Sequence, residues 1–159
     1  MEFRNISGFE FVKAGEFVKT DIPCNLKRWD SYIKINFFDK RYERADETVY
    51  VVTTGENILY VGEFSYNLRD RWLTRGYVNH HMYSNINDFL ESNQELYIWL
   101  AVEPYCNIES HGKLNISKSL EQHILNDTRP NWNRRNKNSG SVEWRVKNCI
   151  KLNTFINIP

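Results

Sequence analysis

The clearest hydrophobic pattern lies near the middle of the chain. Two runs rich in β-branched and aromatic residues, 48–52 and 58–62, flank a polar loop centred on Gly55. This arrangement predicts a β-hairpin. If the loop is symmetric about its glycine, Tyr50 lies opposite Tyr60. Because directly opposed residues share a face of a sheet, the two phenol groups are expected to lie side by side.

A helix is predicted directly after the hairpin. Ser65 or Asn67 is suited to cap its start, and Gly76 is expected to end it. Arg71 and Arg75 are four residues apart, so they are expected to lie along one edge of this helix.

Three further elements follow along the chain. The pattern predicts a short helix over 84–93, a buried strand over 95–103 and a helix over 115–126 whose apolar face is bordered by Glu121. The element order β-β-α-α-β-α predicts an α+β fold, with a small three-stranded antiparallel or mixed sheet flanked by helices.

The two ends of the chain are interpreted as additions to this core. Residues 1–46 are expected to form an N-terminal extension packed on the main sheet, and 136–159 a C-terminal extension with a last strand over 141–150. Both flank a core at 47–135 within a single domain, 1–159, a length that suits one compact unit.

Composition excludes several classes of protein. The 159 residues are 41% hydrophobic, which is enough apolar surface to fold and excludes general disorder. No apolar run approaches the roughly 18 residues of a membrane span, and the start of the chain lacks the pattern of a secretory signal. The three cysteines are far apart, without zinc-ligand spacing, and indicate reduced thiols in a cytoplasmic protein: Cys24, Cys106 and Cys149.

The charge is unevenly distributed along the chain. Residues 1–127 carry 14 Lys and Arg against 19 Asp and Glu, whereas 128–159 carry 7 against 1. A basic segment on an acidic body is compatible with binding of a polyanion and equally with a solvated loop. If the polyanion is DNA, the candidate contacts are Arg129, Arg134, Arg135 and Lys137.

Four polar side chains on the predicted elements suit phosphodiester hydrolysis. A divalent ion on a single carboxylate, Glu121, can neutralise charge on the phosphate, because Mg²⁺ commonly takes only one or two protein carboxylates. Arg71 offers a permanently charged, forked donor for phosphate oxygens. Tyr50 and Tyr60 are phenols whose ionised form nearby cations would favour.

These residues stand in motifs that resemble the GIY-YIG nuclease family. The motifs are Thr-Val-Tyr at 48–50, Tyr-Val-Gly at 60–62, Asn-Leu-Arg-Asp-Arg at 67–71, Leu-Glu at 120–121 and Pro-Asn-Trp-Asn at 130–133. They occur in the family's order and cover roughly residues 46–135.

The resemblance implies a role for each of the four side chains. Tyr50 would be the general base or would orient the attacking water, and Tyr60 would hold or polarise the water or the phosphate. Arg71 would bind the scissile phosphate. Glu121 would be the only protein ligand of one Mg²⁺ or Mn²⁺ ion.

Two supporting residues are implied as well, and three positions depart from the family pattern. Asn133 would brace the site by hydrogen bonds, and Gly62 would let the chain turn tightly at the end of the strand. Thr48 replaces the first glycine of the signature, Glu63 stands where it would repel phosphate unless it points away, and Arg75 replaces a histidine.

The missing histidine leaves the identity of the base open. His80 or His81 is expected to compensate for it, or Arg75 takes a phosphate-binding role.

The sequence therefore predicts a metal-dependent endonuclease that cleaves DNA, of the type II restriction or the phage or defence kind. A cut in both strands would require a homodimer or successive nicks. The alternatives are a catalytically inactive nucleic-acid-binding module on the same scaffold and a protein–protein adaptor. No Asp/Glu-x-Lys triplet and no phosphate-binding glycine loop is present, so other nuclease and nucleotide-dependent chemistries have no support.

Overall fold

The computed structural model describes residues 1–23, 31–109 and 112–133. Of these residues, 47% lie in strands and 24% in helices. The strands are β1 (Phe3–Ile6), β2 (Phe9–Pro23), β3 (Ser31–Phe37), β4 (Thr48–Thr54), β5 (Asn57–Phe64), β6 (Leu73–Thr74), β7 (Tyr77–Val78), β8 (Tyr97–Ala101), β9 (Tyr105–Ile108) and β10 (Gly112–Asn115). The helices are α1 (Lys40–Glu43), α2 (Leu68–Trp72), α3 (Tyr83–Glu91) and α4 (Ser117–Thr128).

Six strands form one antiparallel sheet in the order β1-β2-β8-β4-β5, with β3 paired along β2. The predicted small three-stranded sheet flanked by helices is therefore wrong, and the fold is mostly antiparallel β. Strands β1, β2 and β3 lie in the same sheet as β8, β4 and β5. The N-terminal residues that form these three strands, within 3–23 and 31–37, therefore belong to the main sheet and are not a layer packed on it.

A bulge in β2 is the local reason why the sequence pattern does not predict this long N-terminal strand. Its pairing with β8 shifts register between Lys13 and Gly15, and an extra residue at a bulge breaks the alternation of inward and outward side chains. Ala14 and Gly15 are consequently both buried. A Cβ on Gly15 would lie 2.7 Å from the carbonyl oxygen of Asn36 on β3, so the close approach of the two strands requires a glycine.

The sheet carries a hydrophobic core on each face. One face of β4 and β5 packs against α2 and α3, and the other packs against α4. The alternation along β4 explains this division, because Tyr50 and Val52 face the first core while Val49 and Val51 face the second.

The hairpin of β4 and β5 exists, but its predicted register is wrong. Tyr50 pairs with Gly62 and Val52 pairs with Tyr60, because the turn contains only Gly55 and the residue after it, and a bulge adds a further offset. The total displacement is two residues, which keeps side chains on the same face. The two phenol rings are thus diagonal neighbours, with centroids 6.0 Å apart.

Helix α2 begins as predicted and ends early. The Asn67 side chain caps it by accepting a backbone N–H of the first turn at 2.8 Å, but the helix stops at Trp72 and the chain enters the hairpin β6–β7. Arg75 and Gly76 form that hairpin's turn with φ of +52° and +87°, as a type I′ turn requires. The prediction that Arg75 follows Arg71 on one helix is therefore wrong.

The later elements agree better with the sequence. Strand β8 and helices α3 and α4 lie within two residues of their predicted bounds, and the predicted apolar face of α4 is buried: Ile116, Leu120 and Ile124. The predicted strand over 141–150 and the C-terminal extension lie outside the described residues. None of the helices in the described ranges is long and apolar enough to cross a bilayer.

Candidate active site

The candidate site is built around β5, the strand at one edge of the sheet. An edge strand has outward backbone groups without a strand partner, and here the segment after α4 bonds them. The Trp132 N–H donates to the Leu59 carbonyl at 3.0 Å. The Asn133 amide donates to the Val61 carbonyl at 2.7 Å and accepts the Val61 N–H at 2.9 Å. Asn133 thus fixes the backbone next to Tyr60.

Glu121 lies at the same edge, near the next outward group of β5. The backbone N–H of Glu63 is close enough to lower the pKa of the Glu121 carboxyl group. Helix α4 packs on one face of β5, and the phenols lie on the other face. Because Glu121 is half-buried at the edge of α4 next to this strand, its side chain is close to both faces. Glu121 consequently lies within electrostatic reach of Tyr60 and Arg71.

Tyr50 is fully buried, and Gly62 makes room for its ring. A Cβ on Gly62 would lie 2.5 Å from both the ring carbon Cζ and the hydroxyl oxygen of Tyr50. Gly62 lies within β5, directly opposite Tyr50, and its φ is not left-handed. Its requirement is therefore steric, and the expected role in a tight turn at the end of the strand is wrong.

Arg71 reaches the phenols from α2. Its Nε donates to the Tyr50 hydroxyl at 3.5 Å, and Tyr60 is close enough to stabilise its charge and raise its pKa. Trp72, the next residue, is buried edge-on against both rings, with centroids 5.4 Å from Tyr50 and 6.4 Å from Tyr60. Arg71 itself remains exposed. Its guanidinium is therefore available to a ligand while the two phenols fix its position.

Both phenols are kept protonated. Burial raises the pKa of Tyr50, and the neighbouring Tyr60 adds to the shift, while Arg71 opposes it only in part. Burial also raises the pKa of Tyr60 against the opposing effects of Tyr50 and Arg71. Arg71 favours the phenolate as expected, but loss of hydration outweighs the effect of this one cation.

The surroundings of the Glu121 carboxyl group disfavour its ionised form. Burial, and after it the charge of Glu63, raise its pKa to about 7 against the opposing effects of Arg71 and the Glu63 N–H. A half-buried carboxylate beside a second one is a group whose charge a cation would stabilise.

The two histidines occupy different environments beside Tyr60. His80 is buried, stacks on Trp72 at 4.0 Å between centroids, and accepts the Met82 N–H at its Nδ1. Burial lowers the pKa of His80 to about 3, so it is neutral. His81 is exposed, with its ring 4.1 Å from that of His80 and 5.7 Å from that of Tyr60.

The remaining predicted residues are placed differently. Arg75 is an exposed turn residue, and Thr48, where the family has glycine, buries its hydroxyl in a hydrogen bond to the Ala101 carbonyl at 3.1 Å. Arg129 is exposed at the left-handed C-terminal cap of α4. Three predicted DNA contacts lie outside the described residues: Arg134, Arg135 and Lys137.

Two contributors were missed at the sequence level. One is Trp72, whose ring lies against those of Tyr50, Tyr60 and His80 at once. The other is Glu63, which the sequence predicts only as a charge that would repel phosphate. Its backbone N–H and its carboxylate both change the pKa of Glu121 on α4. No local signal reveals the second contact, because its partners are far apart in sequence.

The oxygen donors at this edge fit a sparsely coordinated divalent ion. Within the described ranges no group of three or more His, Cys, Asp or Glu residues could enclose a metal. Mg²⁺ does not need such a cage, because it keeps several waters and accepts one or two carboxylates together with substrate phosphate. Glu121 provides one such carboxylate.

No family model, curated protein or solved structure matches this chain. The resemblance to GIY-YIG nucleases consequently depends on the motif residues and on the geometry described above.

Proposed function

We propose that this protein is a metal-dependent endonuclease of the GIY-YIG type that hydrolyses phosphodiester bonds of DNA. The observation that carries the proposal is the meeting of two phenols, one guanidinium and one carboxylate around β5. They come from a hairpin and two helices that are separate along the chain: Tyr50, Tyr60, Arg71 and Glu121.

Substrate binding is assigned to Arg71 and Glu121. The exposed guanidinium of Arg71 would donate to the non-bridging oxygens of the scissile phosphate, for which its fork is suited. Glu121 would hold one Mg²⁺ or Mn²⁺ ion. Such an ion supplies neutralisation of the phosphate and stabilisation of the leaving oxygen.

The phenols are assigned to positioning. Tyr50 is too deeply buried to meet solvent, so its hydroxyl would orient Arg71, and Tyr60 would donate its proton in a hydrogen bond to the phosphate or the attacking water. His81 is the exposed imidazole beside Tyr60, and we assign to it the acceptance of the proton from that water. Water then adds to phosphorus as the bond from phosphorus to the leaving oxygen breaks.

His81→Gln is expected to slow single-turnover cleavage by roughly 10²-fold or more, as removal of a general base typically does. Glutamine keeps hydrogen-bonding capacity without accepting a proton at neutral pH, so affinity for DNA should hold. The rates are measured on supercoiled plasmid with enzyme in excess, and His123→Gln on α4 serves as the matched control. Equal loss in both variants, or no loss in the first, removes His81 from this role.

The activity itself is tested by incubating supercoiled plasmid with the full chain and Mg²⁺ or Mn²⁺, beside samples containing excess EDTA. We expect nicked or linear DNA only where free metal is present. Intact plasmid across both metals and several salt concentrations would contradict the proposal.

Within this class we propose a restriction-type enzyme or a phage or defence nuclease acting in the cytoplasm, with double-strand cleavage by a homodimer. The support is the basic segment over 128–159 and the wide spacing of the three cysteines along the sequence. Sequencing of the cut ends tests the first part, because random ends contradict site-specific restriction. Sedimentation with and without DNA tests the dimer.

The second candidate is a nucleic-acid-binding module without catalysis. It is favoured by Arg75, which lies in a turn where the family carries a helical histidine, and by the protonated phenols. Salt-dependent DNA binding without metal-dependent cleavage would support this alternative.

A further inference from the structure

The hairpin β6–β7 is an exposed element directly after the helix that carries Arg71. It begins at Leu73, where α2 ends, and each of its strands contains only two residues. Arg75 and Gly76 form its turn. Apart from the chain neighbours of Gly76, no described atom lies within 4 Å of the place where a Cβ on that residue would be. The tip of the hairpin is therefore open to a ligand, and the chemistry proposed above does not use it.

The hairpin is held in place at its base. The backbone N–H of Asn79 donates to the Trp72 carbonyl at 2.8 Å, and the Asn79 side chain donates to the Thr74 hydroxyl at 2.9 Å. On β7, the ring of Tyr77 stacks on that of Tyr32 from β3, with centroids 4.4 Å apart. A fixed backbone thus presents the side chain at the tip, which reduces the entropy lost when a ligand binds there.

The side chain at the tip is an arginine without an acidic partner. Arg75 is exposed and forms no ion pair in the described part of the chain, and the same is true of Lys34, two residues from Tyr32 on the same face of β3. Arg75 also has a φ of +52°, a conformation that glycine or asparagine adopts with less strain. Turn formation therefore does not explain the arginine, whereas a polyanionic ligand would.

The dimensions of the hairpin suit the major groove of duplex DNA. Paired strands lie about 4.8 Å apart, so a two-stranded ribbon with its side chains enters a groove about 12 Å wide but not the minor groove of about 6 Å. Four residues span at most about 14 Å, which limits the distance between the Cα atoms of Arg71 and Arg75. Base pairs are stacked about 3.4 Å apart. With Arg71 on the scissile phosphate, Arg75 would therefore meet base pairs within roughly five positions of the cut.

We propose that the hairpin β6–β7 reads duplex DNA in the major groove beside the cut, with the guanidinium of Arg75 donating to the O6 and N7 atoms of a guanine. This rests on the proposed function for the presence of DNA and for the place of Arg71. The forked donors of arginine match two adjacent acceptors, and guanine is the base that presents such a pair in this groove. Arg75 is thus a specificity-determining residue and takes no part in the chemical step.

The test incubates the full chain with a library of randomised duplexes in metal-free buffer, where nothing is cut, and sequences the bound fraction. The unmodified chain should enrich a guanine at one fixed position. Arg75→Asn removes the charge and the fork but keeps the turn, because asparagine tolerates a left-handed φ. It should lower the preference for guanine at that position about 10-fold or more. Arg75→Lys should keep the preference only in part.

Arg41→Ala is the matched control, because Arg41 is an exposed arginine on α1 whose charge is paired with Asp39 at 2.7 Å. It should leave the preference for guanine unchanged. Equal thermal unfolding temperatures of the variants and the unmodified chain show that all of them are folded.

The outcomes separate this inference from the proposed function. If Arg75→Asn weakens binding to all duplexes equally and lowers the salt dependence of binding by about one unit of slope, Arg75 contacts only phosphate and the inference is wrong. If the unmodified chain cleaves DNA without preferring any base, the inference is wrong and the endonuclease proposal stands. If the guanine preference depends on Arg75 while no duplex is cleaved with Mg²⁺ or Mn²⁺, the reading hairpin stands and the endonuclease proposal falls.

Discussion

Glu121→Gln is expected to reduce Mg²⁺-dependent plasmid cleavage by at least about 10³-fold, the larger end of what loss of one charge-stabilising group costs. The amide has the shape of the carboxyl group, so the side chain should stay in place. What disappears is the negative charge that would hold the ion. The measurement is the nicking rate at saturating enzyme over a range of Mg²⁺ and Mn²⁺ concentrations.

The same substitution should leave the protein equally stable or more stable in metal-free buffer. The raised pKa of Glu121 means that its ionised form costs folding free energy, and this cost grows as pH rises from the ordinary value near 4.5 to about 7. The variant escapes the cost, so its advantage in unfolding temperature should be present above pH 7 and vanish below about pH 4.5. Glu103→Gln controls for removal of an exposed charge. Full activity of Glu121→Gln, or its failure to fold, would contradict this account.

How far the sequence predicts this molecule depends on whether a pattern is local. Helix α4 was predicted because a surface helix repeats its apolar positions regularly, and Ile116, Leu120 and Ile124 are all buried. The cap at Asn67 was predicted for the same reason, since capping involves only the next few residues.

The wrong predictions, of strand register, helix length and strand length, all depend on turns and bulges that the hydrophobic pattern does not reveal. The register of β4 and β5 is set by a two-residue turn and a bulge, neither of which changes hydrophobic composition. The length of α2 is decided by the hairpin at Arg75, a non-glycine residue with left-handed φ that no propensity predicts. In β2 the bulge near Ala14 interrupts the alternation of buried and exposed side chains, so the sequence pattern does not predict one long strand.

The electrostatics of the site were predictable only in part. The motifs indicated which charged and phenolic groups belong together, but a pKa depends on how much water each group loses. Tyr50 is fully buried, so desolvation prevails over its contact with Arg71. The effect of Glu63 on the pKa of Glu121 couples a strand edge to a helix, and the spacing of residues within either element does not predict it.

Arg71→Ala is expected to lower the single-turnover cleavage rate about 10²- to 10³-fold, as removal of one donor to a developing oxyanion does. The guanidinium is exposed and aligned by two phenols, so its charge and geometry are available where the phosphate would lie. Arg71→Lys keeps the charge and loses the fork, and its rate should fall between those of alanine and arginine. Affinity for DNA, measured separately without metal, should change much less than the rate.

Arg69→Ala is the matched control, because it removes the same charge from the same helix two residues away. Arg69 pairs with Glu43 on α1 and has no contact with the phenols within the described residues. If Arg71 acts on the reacting phosphate, Arg69→Ala should cleave nearly as fast as the unmodified chain. If both alanine variants lose rate and affinity in parallel, the helix supplies only general attraction for DNA. Full activity of Arg71→Lys would show that charge alone suffices, without the forked geometry that the phenols hold in place.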